Sequence, residues 1–233
     1  MNVVITGASK GIGKAIAASF AAAGNHLFLC ARNEVNLYNT VAALQTEYAS
    51  AQIKAIPADL SKKNEVIHFA EWVSKNAGTV DILVNNAGSF LPGSIFNEKE
   101  GTLENMIETN LYSAYHLTRL LLPEMMKKKQ GHIFNICSVA SLESYPNGGS
   151  YSISKFAMAG FSKNLREEMK PYHIKVSALY PGAVMTDSWG DFDNSAKRIM
   201  EAEDVAAMVL AMSRLSVQAV VEDIVMRPQL GDL

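Results

Sequence analysis

Short apolar runs rich in β-branched residues alternate along this chain with longer stretches whose apolar positions recur at helical spacing. NVVIT opens the series at Asn2, the helical GIGKAIAASFAAAG follows, and HLFLCA comes next. The pattern continues through helical NLYNTVAALQTEY, strand IKAIPA, helical NEVIHFAEWVSKNA and strand VDILVNNAG. A long helical segment from about Lys99 to Lys128 leads to strand HIFNICS, then a helix carrying Tyr151, and then strand IKVSALYPG. A last helix near Glu203 to Arg214 precedes AVVEDIVM. Seven strands separated by helices predict an α/β fold, a doubly wound parallel sheet flanked by helices on both faces. Ligands of such sheets bind beyond the carboxyl ends of the strands.

The 233 residues, 48% of them hydrophobic, suffice for a sizeable core, and no linker, repeat or shift in composition divides them. We therefore expect one domain over residues 1–233. A net charge of -2 gives no footprint for nucleic acid or an anionic membrane. The basic run Lys127 to Lys129 reads as a helix end, where cations favour the negative pole of the dipole. Cys30 and Cys137 each end an apolar run, so neither a disulfide nor a metal site is expected, and the five histidines are scattered. The start at Met1 runs straight into NVVITGAS without a leader, and no apolar stretch approaches the ~18 residues of a membrane span. The expectation is a soluble, cytoplasmic protein without a metal.

Chemistry enters with Ser138, Tyr151 and Lys155. On a helix, Tyr151 and Lys155 lie about one turn apart, which puts phenol and ammonium on one face. A free phenol has a pKa of about 10, and a neighbouring cation lowers it. Alone, the pattern favours an ordinary surface tyrosine and lysine, because short patterns recur by chance. A second cluster changes its weight: the first strand runs into TGASKGIG and then into an alanine-rich helix. Gly7, Gly11 and Gly13 permit a tight turn, close approach of a ligand and close helix packing, with the helix N-terminus facing a pyrophosphate.

This TGxxxGxG spacing resembles that of the short-chain dehydrogenase/reductase family, and the resemblance spans nearly the whole chain. Asn85-Asn86-Ala87-Gly88 matches the family's NNAG, Asn110 its helix asparagine, Ser138, Tyr151 and Lys155 its catalytic residues, and Pro181-Gly182 its PG after strand six. The resemblance implies a Rossmann-type dinucleotide fold and catalytic residues Asn110, Ser138, Tyr151 and Lys155. Ser138 would orient a carbonyl, Tyr151 would donate the proton, Lys155 would bind the ribose and lower the tyrosine pKa, and Asn110 would support a water-linked proton relay. Cofactor contacts are implied at Gly7, Ser9, Lys10, Gly11, Ile12, Gly13, Arg32, Asp59, Leu60, Asn86, Ala87, Gly88, Tyr151, Lys155, Pro181, Gly182, Val184 and Thr186. For Asp59 and Thr186, helix capping is the competing role.

The second strand ends LFLCARNE, with no acid at its tip to hold a ribose 2′-hydroxyl. Arg32 follows it and Lys10 sits in the glycine loop, which by resemblance implies NADP(H); Glu34 is close enough in sequence to pair with Arg32. The segment at about 183–200 resembles the family's substrate-covering region, and Phe90, Tyr145, Met185 and Trp189, together with Leu91 and Phe192, are candidates for an aromatic or apolar pocket. The ending VVEDIVMRPQLGDL looks closer to bacterial sepiapterin-reductase-like and carbonyl reductases than to 3-oxoacyl-carrier-protein reductases, which stay an alternative beside a non-catalytic NADP-binding sensor. A small-molecule carbonyl or alcohol substrate and a homodimer or homotetramer are implied, with the long fourth helix, the Tyr151 helix and the last strand as contacts.

Overall fold

The computed structural model describes residues 1–232. Its strands β1 (Asn2–Thr6), β2 (His26–Ala31), β3 (Gln52–Pro57), β4 (Ile82–Asn85), β5 (Gly131–Ile136), β6 (Ile174–Pro181) and β7 (Asp223–Met226) form one sheet in the order β3-β2-β1-β4-β5-β6-β7. Every pairing is parallel. The chain builds outward from β1 in one direction through β3, then returns to β4 and builds in the other. The order therefore reverses between β1 and β4, so the loops after these two strands diverge and leave a crevice at their carboxyl ends.

The strands read as unbroken apolar runs because both of their faces are covered. In β1, Val3 and Ile5 point to a core shared with Ile16 and Phe20 of α1 (Gly11–Ala22) and Val205 and Val209 of α7 (Ala202–Ser213). Val4 points the other way, into a core with Phe69 of α3 (Lys63–Ala77) and Leu117 and Met125 of α5 (Ser113–Lys128). Helix α2 (Glu34–Glu47) covers the first face beside β2 and β3 through Leu37 and Leu44. Helix α6 (Gly149–Met169) covers β5 and β6.

The expected long helix from about Lys99 to Lys128 is broken into pieces. It starts as α4 (Thr102–Ile107), passes through a π-helical turn at Glu108–Tyr112, and resumes as α5. The wide turn lets Asn110 face inward, where its side chain is bound on two sides. Such π-bulges are uncommon and cluster at functional sites. Among the described residues, no helix is long and apolar enough to cross a membrane.

Candidate active site

The glycine loop leaves β1 with Gly7 at φ +65° and Gly11 at φ +52°, both in the left-handed region that glycine enters freely. A Cβ at Gly13 would overlap the Gly7 carbonyl and the Asn86 side-chain amide, so the loop closes on itself only with glycine there. Helix α1 then follows Lys10, its N-cap residue, with no side-chain cap and no acidic residue in its first turn. Its first N–H groups and the positive pole of its dipole are thus open to an anion at the crevice.

Asn86 is among the expected cofactor contacts, and its side chain turns inward. Its amide donates to the carbonyls of Thr6 (2.9 Å) and Gly7 (3.2 Å). The Thr6 hydroxyl in turn accepts from the N–H groups of Asn86 (3.0 Å) and Ala87 (2.9 Å). Thr6 and Asn86 therefore stitch the two diverging loops together at the floor of the crevice, and Ala87 and Gly88 form its rim. Gly88 lies against Asn110 Oδ1 and Lys155 Nζ, so this loop connects the glycine side of the crevice to the reactive side.

Ser138 stands two residues beyond β5, at the head of the 3-10 turn Val139–Ser141, where its hydroxyl accepts from Ala140 N–H (3.2 Å). The Ser152 hydroxyl donates 2.9 Å to the Ala140 carbonyl, tying that turn to the start of α6 and bringing Ser138 to Tyr151. Phe90, from the loop after β4, meets Tyr151 edge-on. Lys155 is only 7% exposed and donates 3.0 Å to the Ile136 carbonyl, the last residue of β5. Its Nζ lies 5.8 Å from the Tyr151 ring centroid.

The expected lowering of the tyrosine pKa is corrected by this geometry. Burial raises Tyr151 above the ordinary phenol value, the Ser138 hydroxyl works the other way by favouring the phenolate, and the Cys137 thiol adds to the rise. Burial also pulls Lys155 below the ordinary ammonium value, with Cys137 opposing. The lysine charge is directed at the Ile136 carbonyl, and desolvation of the phenol wins.

Asn110 does not reach Lys155 through its side chain. Oδ1 accepts from Ser89 N–H (2.7 Å), and the amide donates to the Ser89 carbonyl (3.1 Å) and to Ser154 Oγ (2.9 Å). Ser154 Oγ donates 2.7 Å to the Tyr151 carbonyl. Asn110 thus clamps the loop after β4 onto the Tyr151 helix. Thr6 opens the TGxxxGxG motif and Ser154 lies between Tyr151 and Lys155, yet motif reading assigned neither a role; their only signal is a small hydroxyl within each motif.

Arg32 is exposed directly after β2, and among the described residues it forms no ion pair, Glu34 included. It lies near Asp59. Burial tends to raise the Asp59 carboxyl, but the Ser61 hydroxyl and N–H, Lys62 and Arg32 together hold it below the ordinary carboxylate value. Asp59 accepts from Ser61 Oγ (2.8 Å) rather than capping α3, whose N-cap residue is Lys62, and Leu60 is buried in the core. Ser9 offers its carbonyl to Thr40 Oγ1 (2.9 Å). Ile12 packs on the core. Lys10, expected to face a phosphate, lies 3.9 Å from Asp187 across the crevice.

The segment after β6 comes back over the glycine loop. A Cβ at Gly11 would sit 3.1 Å from Thr186 Cγ2, and the Thr186 hydroxyl shares a 2.7 Å hydrogen bond with Ser188 instead of capping the short turn Asp187–Trp189. Gly182 donates its N–H 2.8 Å to the Met226 carbonyl, which holds Pro181-Gly182 beside β7. Val184 is buried and pairs in parallel with Met200. Of the expected pocket residues, Phe90 reaches Tyr151, and Tyr145 lies close enough to feel its charge; burial first, then Tyr151, pushes the Tyr145 phenol up to about 12. Met185 donates its N–H to the Met200 carbonyl (2.7 Å). Trp189 turns back on its own segment, its indole N–H 2.9 Å from the Val184 carbonyl and its ring 5.0 Å from Phe192. Among the described residues, no cluster of His, Cys, Asp or Glu is arranged to hold a metal ion.

Residues 1–197 match the family model described as short chain dehydrogenase. A sepiapterin reductase from Chlorobaculum tepidum is 33% identical, the alignment covering 99% of this chain and 97% of the relative. A metagenomic short-chain oxidoreductase, solved in complex with NADP, is 30% identical with a TM-score of 0.86, over 98% of this chain and 97% of its own. An alcohol dehydrogenase from the archaeon Thermococcus sibiricus, complexed with 5-hydroxy-NADP, superposes with a TM-score of 0.92 at 27% identity, over 100% of this chain and 98% of its own. With a family match over most of its length, a sheet that reverses beside its glycine loop and Ser138 brought to Tyr151, the chain belongs to the short-chain dehydrogenase/reductase family.

Proposed function

We propose that the protein is an NADPH-dependent reductase of small carbonyl compounds, acting as an alcohol dehydrogenase in the reverse direction. The observation that carries the reading is the convergence of Ser138, Tyr151 and Lys155 at the carboxyl end of the sheet, beside a glycine loop whose helix start is uncapped. That loop and the exposed Arg32 suit a dinucleotide bearing a 2′-phosphate, in keeping with the NADP named in the solved relatives. When bound, the nicotinamide supplies the hydride.

The chain supplies the proton and the polarisation. Ser138 Oγ donates a hydrogen bond to the substrate oxygen and Tyr151 Oη transfers its proton there as charge develops, so the carbonyl becomes an alcohol and the phenolate is left to be reprotonated from solvent. A phenol held protonated by burial is the form needed for this direction. Lys155, anchored on Ile136, is placed to hold the cofactor's ribose hydroxyls and to stabilise the phenolate once formed. The carbonyl substrate would lie against Phe90, with Tyr145 at the mouth. Exposed Tyr112, Tyr115 and Leu120 on the π turn and α5, and Ile153 and Phe156 on α6, support a homodimer or homotetramer built on these helices.

The test is Tyr151→Phe, assayed by NADPH absorbance against a panel of ketones, diketones and pterins. Turnover should vanish while NADPH affinity holds within about two-fold, since only the transferable proton has been removed. Retained turnover would take the proton-donor role away from Tyr151.

A further inference from the structure

Tyr151 sits in the first turn of α6, and that turn is fastened from outside the helix. No side chain of the residues preceding α6 caps it. Glu98, far away in sequence on the loop after β4, takes the place of a cap: its Oε1 accepts from Ser150 N–H (2.9 Å) and its Oε2 from the Ser150 hydroxyl. Ser150 is 2% exposed, so both bonds are shielded from water at the serine end. A carboxylate on first-turn N–H groups is favoured both as a charge-assisted acceptor and by the helix dipole.

The fit leaves no slack. Gly149 adopts φ +38°, and a Cβ there would overlap Glu98 Oε1 and the Gly93 carbonyl. Gly93 N–H donates 3.0 Å to the Asn147 carbonyl, Ser94 Oγ donates 2.7 Å to Asn147 Oδ1, and Glu98 N–H closes back on the Ser94 carbonyl at 3.0 Å. The loop pinned in this way is the one that carries Phe90 onto the Tyr151 ring. Its far end is clamped to the same helix by Asn110 through Ser89 and Ser154.

We propose that Glu98 is a positioning residue for Tyr151: its carboxylate holds the first turn of α6 and the Phe90 loop in one register, and so sets where the phenol stands over the substrate carbonyl. This rests on the functional reading above. Glu98 touches neither substrate nor cofactor in it; its effect passes through Ser150 and the Phe90 loop. A misplacement of about 1 Å between donor and acceptor can cost as much as about 100-fold in rate, which is the scale on which such a fastening matters.

Glu98→Ala should lower kcat about 10-fold or more with the NADPH dissociation constant unchanged within about two-fold, because the glycine loop is untouched. Glu98→Gln, which can accept from Ser150 N–H and donate to Ser150 Oγ, should restore most of the loss. Ser150→Ala removes one bond from the other side and should give a smaller fall in the same direction, which keeps the test decisive should Glu98→Ala not fold. Unchanged kcat in Glu98→Ala, a parallel loss of kcat and NADPH affinity, or a Gln variant no better than Ala would overturn the inference. A wild-type protein that reduces no carbonyl removes the functional reading instead. Amide exchange then decides on the ligand-free protein: peptides covering 89–98 and 149–155 should lose protection together in Glu98→Ala and regain it in Glu98→Gln, and unchanged protection in the Ala variant overturns the positioning role.

Discussion

Phe90 stands edge-on to Tyr151, with ring centroids 4.8 Å apart and planes crossing at 84°. This is the favoured geometry of an aromatic pair, worth about 0.5–1.5 kcal/mol beyond area burial. Phe90 keeps 46% of its surface exposed, so one face supports the phenol while the other is free to meet a ligand. Phe90→Ala should raise KM for aromatic or apolar ketones about five- to ten-fold, with a smaller fall in kcat. Steady-state kinetics with a ketone series decides; equal KM for small and bulky ketones in wild type and variant would place substrate elsewhere.

Lys155 is buried against the Ile136 carbonyl with its ammonium depressed by desolvation. Lys155→Met fills the same volume without a charge, so thermal stability should hold or rise slightly, as when a buried ionic group gives way to an apolar one. Turnover should nonetheless fall about 100-fold or more, since the charge facing a forming phenolate is gone. A melt and a kcat measurement on one preparation separate the two effects, and full activity in the variant would remove Lys155 from the mechanism.

Arg32, exposed directly after β2, is the cation proposed above for a 2′-phosphate, whereas Lys10 has Asp187 as a neighbour. Arg32→Ala should weaken NADPH binding about ten-fold or more and NADH binding less than about two-fold, the worth of a charge-assisted hydrogen bond to phosphate. Lys10→Ala should show the same preference to a smaller degree. Titrations followed by nicotinamide fluorescence give both constants; equal losses for the two cofactors would contradict the assignment.

His132 is buried beside Phe134, shares a 2.8 Å hydrogen bond with Ser177 Oγ, and is held neutral, its pKa pulled down to about 3 by burial and, secondarily, by Lys175. An unfolded histidine titrates near pH 6.5, so below that the unfolded chain binds a proton that the folded one refuses. Stability should therefore drop as pH falls from about 6.5 towards 3, by about 1.6 kcal/mol between pH 6.5 and 5 from this group alone. Urea denaturation at those two values, repeated on His132→Gln, should show a shallower dependence in the variant. An identical slope would mean that His132 takes up its proton in the folded state.

The alternation of strand and helix was legible because parallel strands covered on both faces spell unbroken apolar runs, as in NVVIT and HLFLCA. Ser138, Tyr151 and Lys155 were legible because a short stretch of chain contains them all. What escaped was set by contacts across long stretches of sequence. The inward bonds of the Asn86 amide to the Thr6 and Gly7 carbonyls span about 80 residues, and no local pattern spells them. The π-helical turn at Glu108–Tyr112 has no residue signature, since it exists to aim Asn110 at Ser89 and Ser154. The direction of the Tyr151 shift depends on desolvation, which no spacing rule contains.

The parallel bridge between Val184 and Met200, reinforced by Met185 N–H on the Met200 carbonyl (2.7 Å) and Met200 N–H on the Ala183 carbonyl (3.1 Å), draws the neck of the segment after β6 shut. A loop closed at its neck is an independent module: lengthening it costs little, since each doubling of loop length adds only about 0.6 kcal/mol of closure entropy. The residues between Trp189 and Lys197 can thus be lengthened at little cost, while Thr186 against Gly11 and Asp187 near Lys10 keep the neck tied to the glycine loop. The length of this segment is therefore set apart from the sheet by its closed neck.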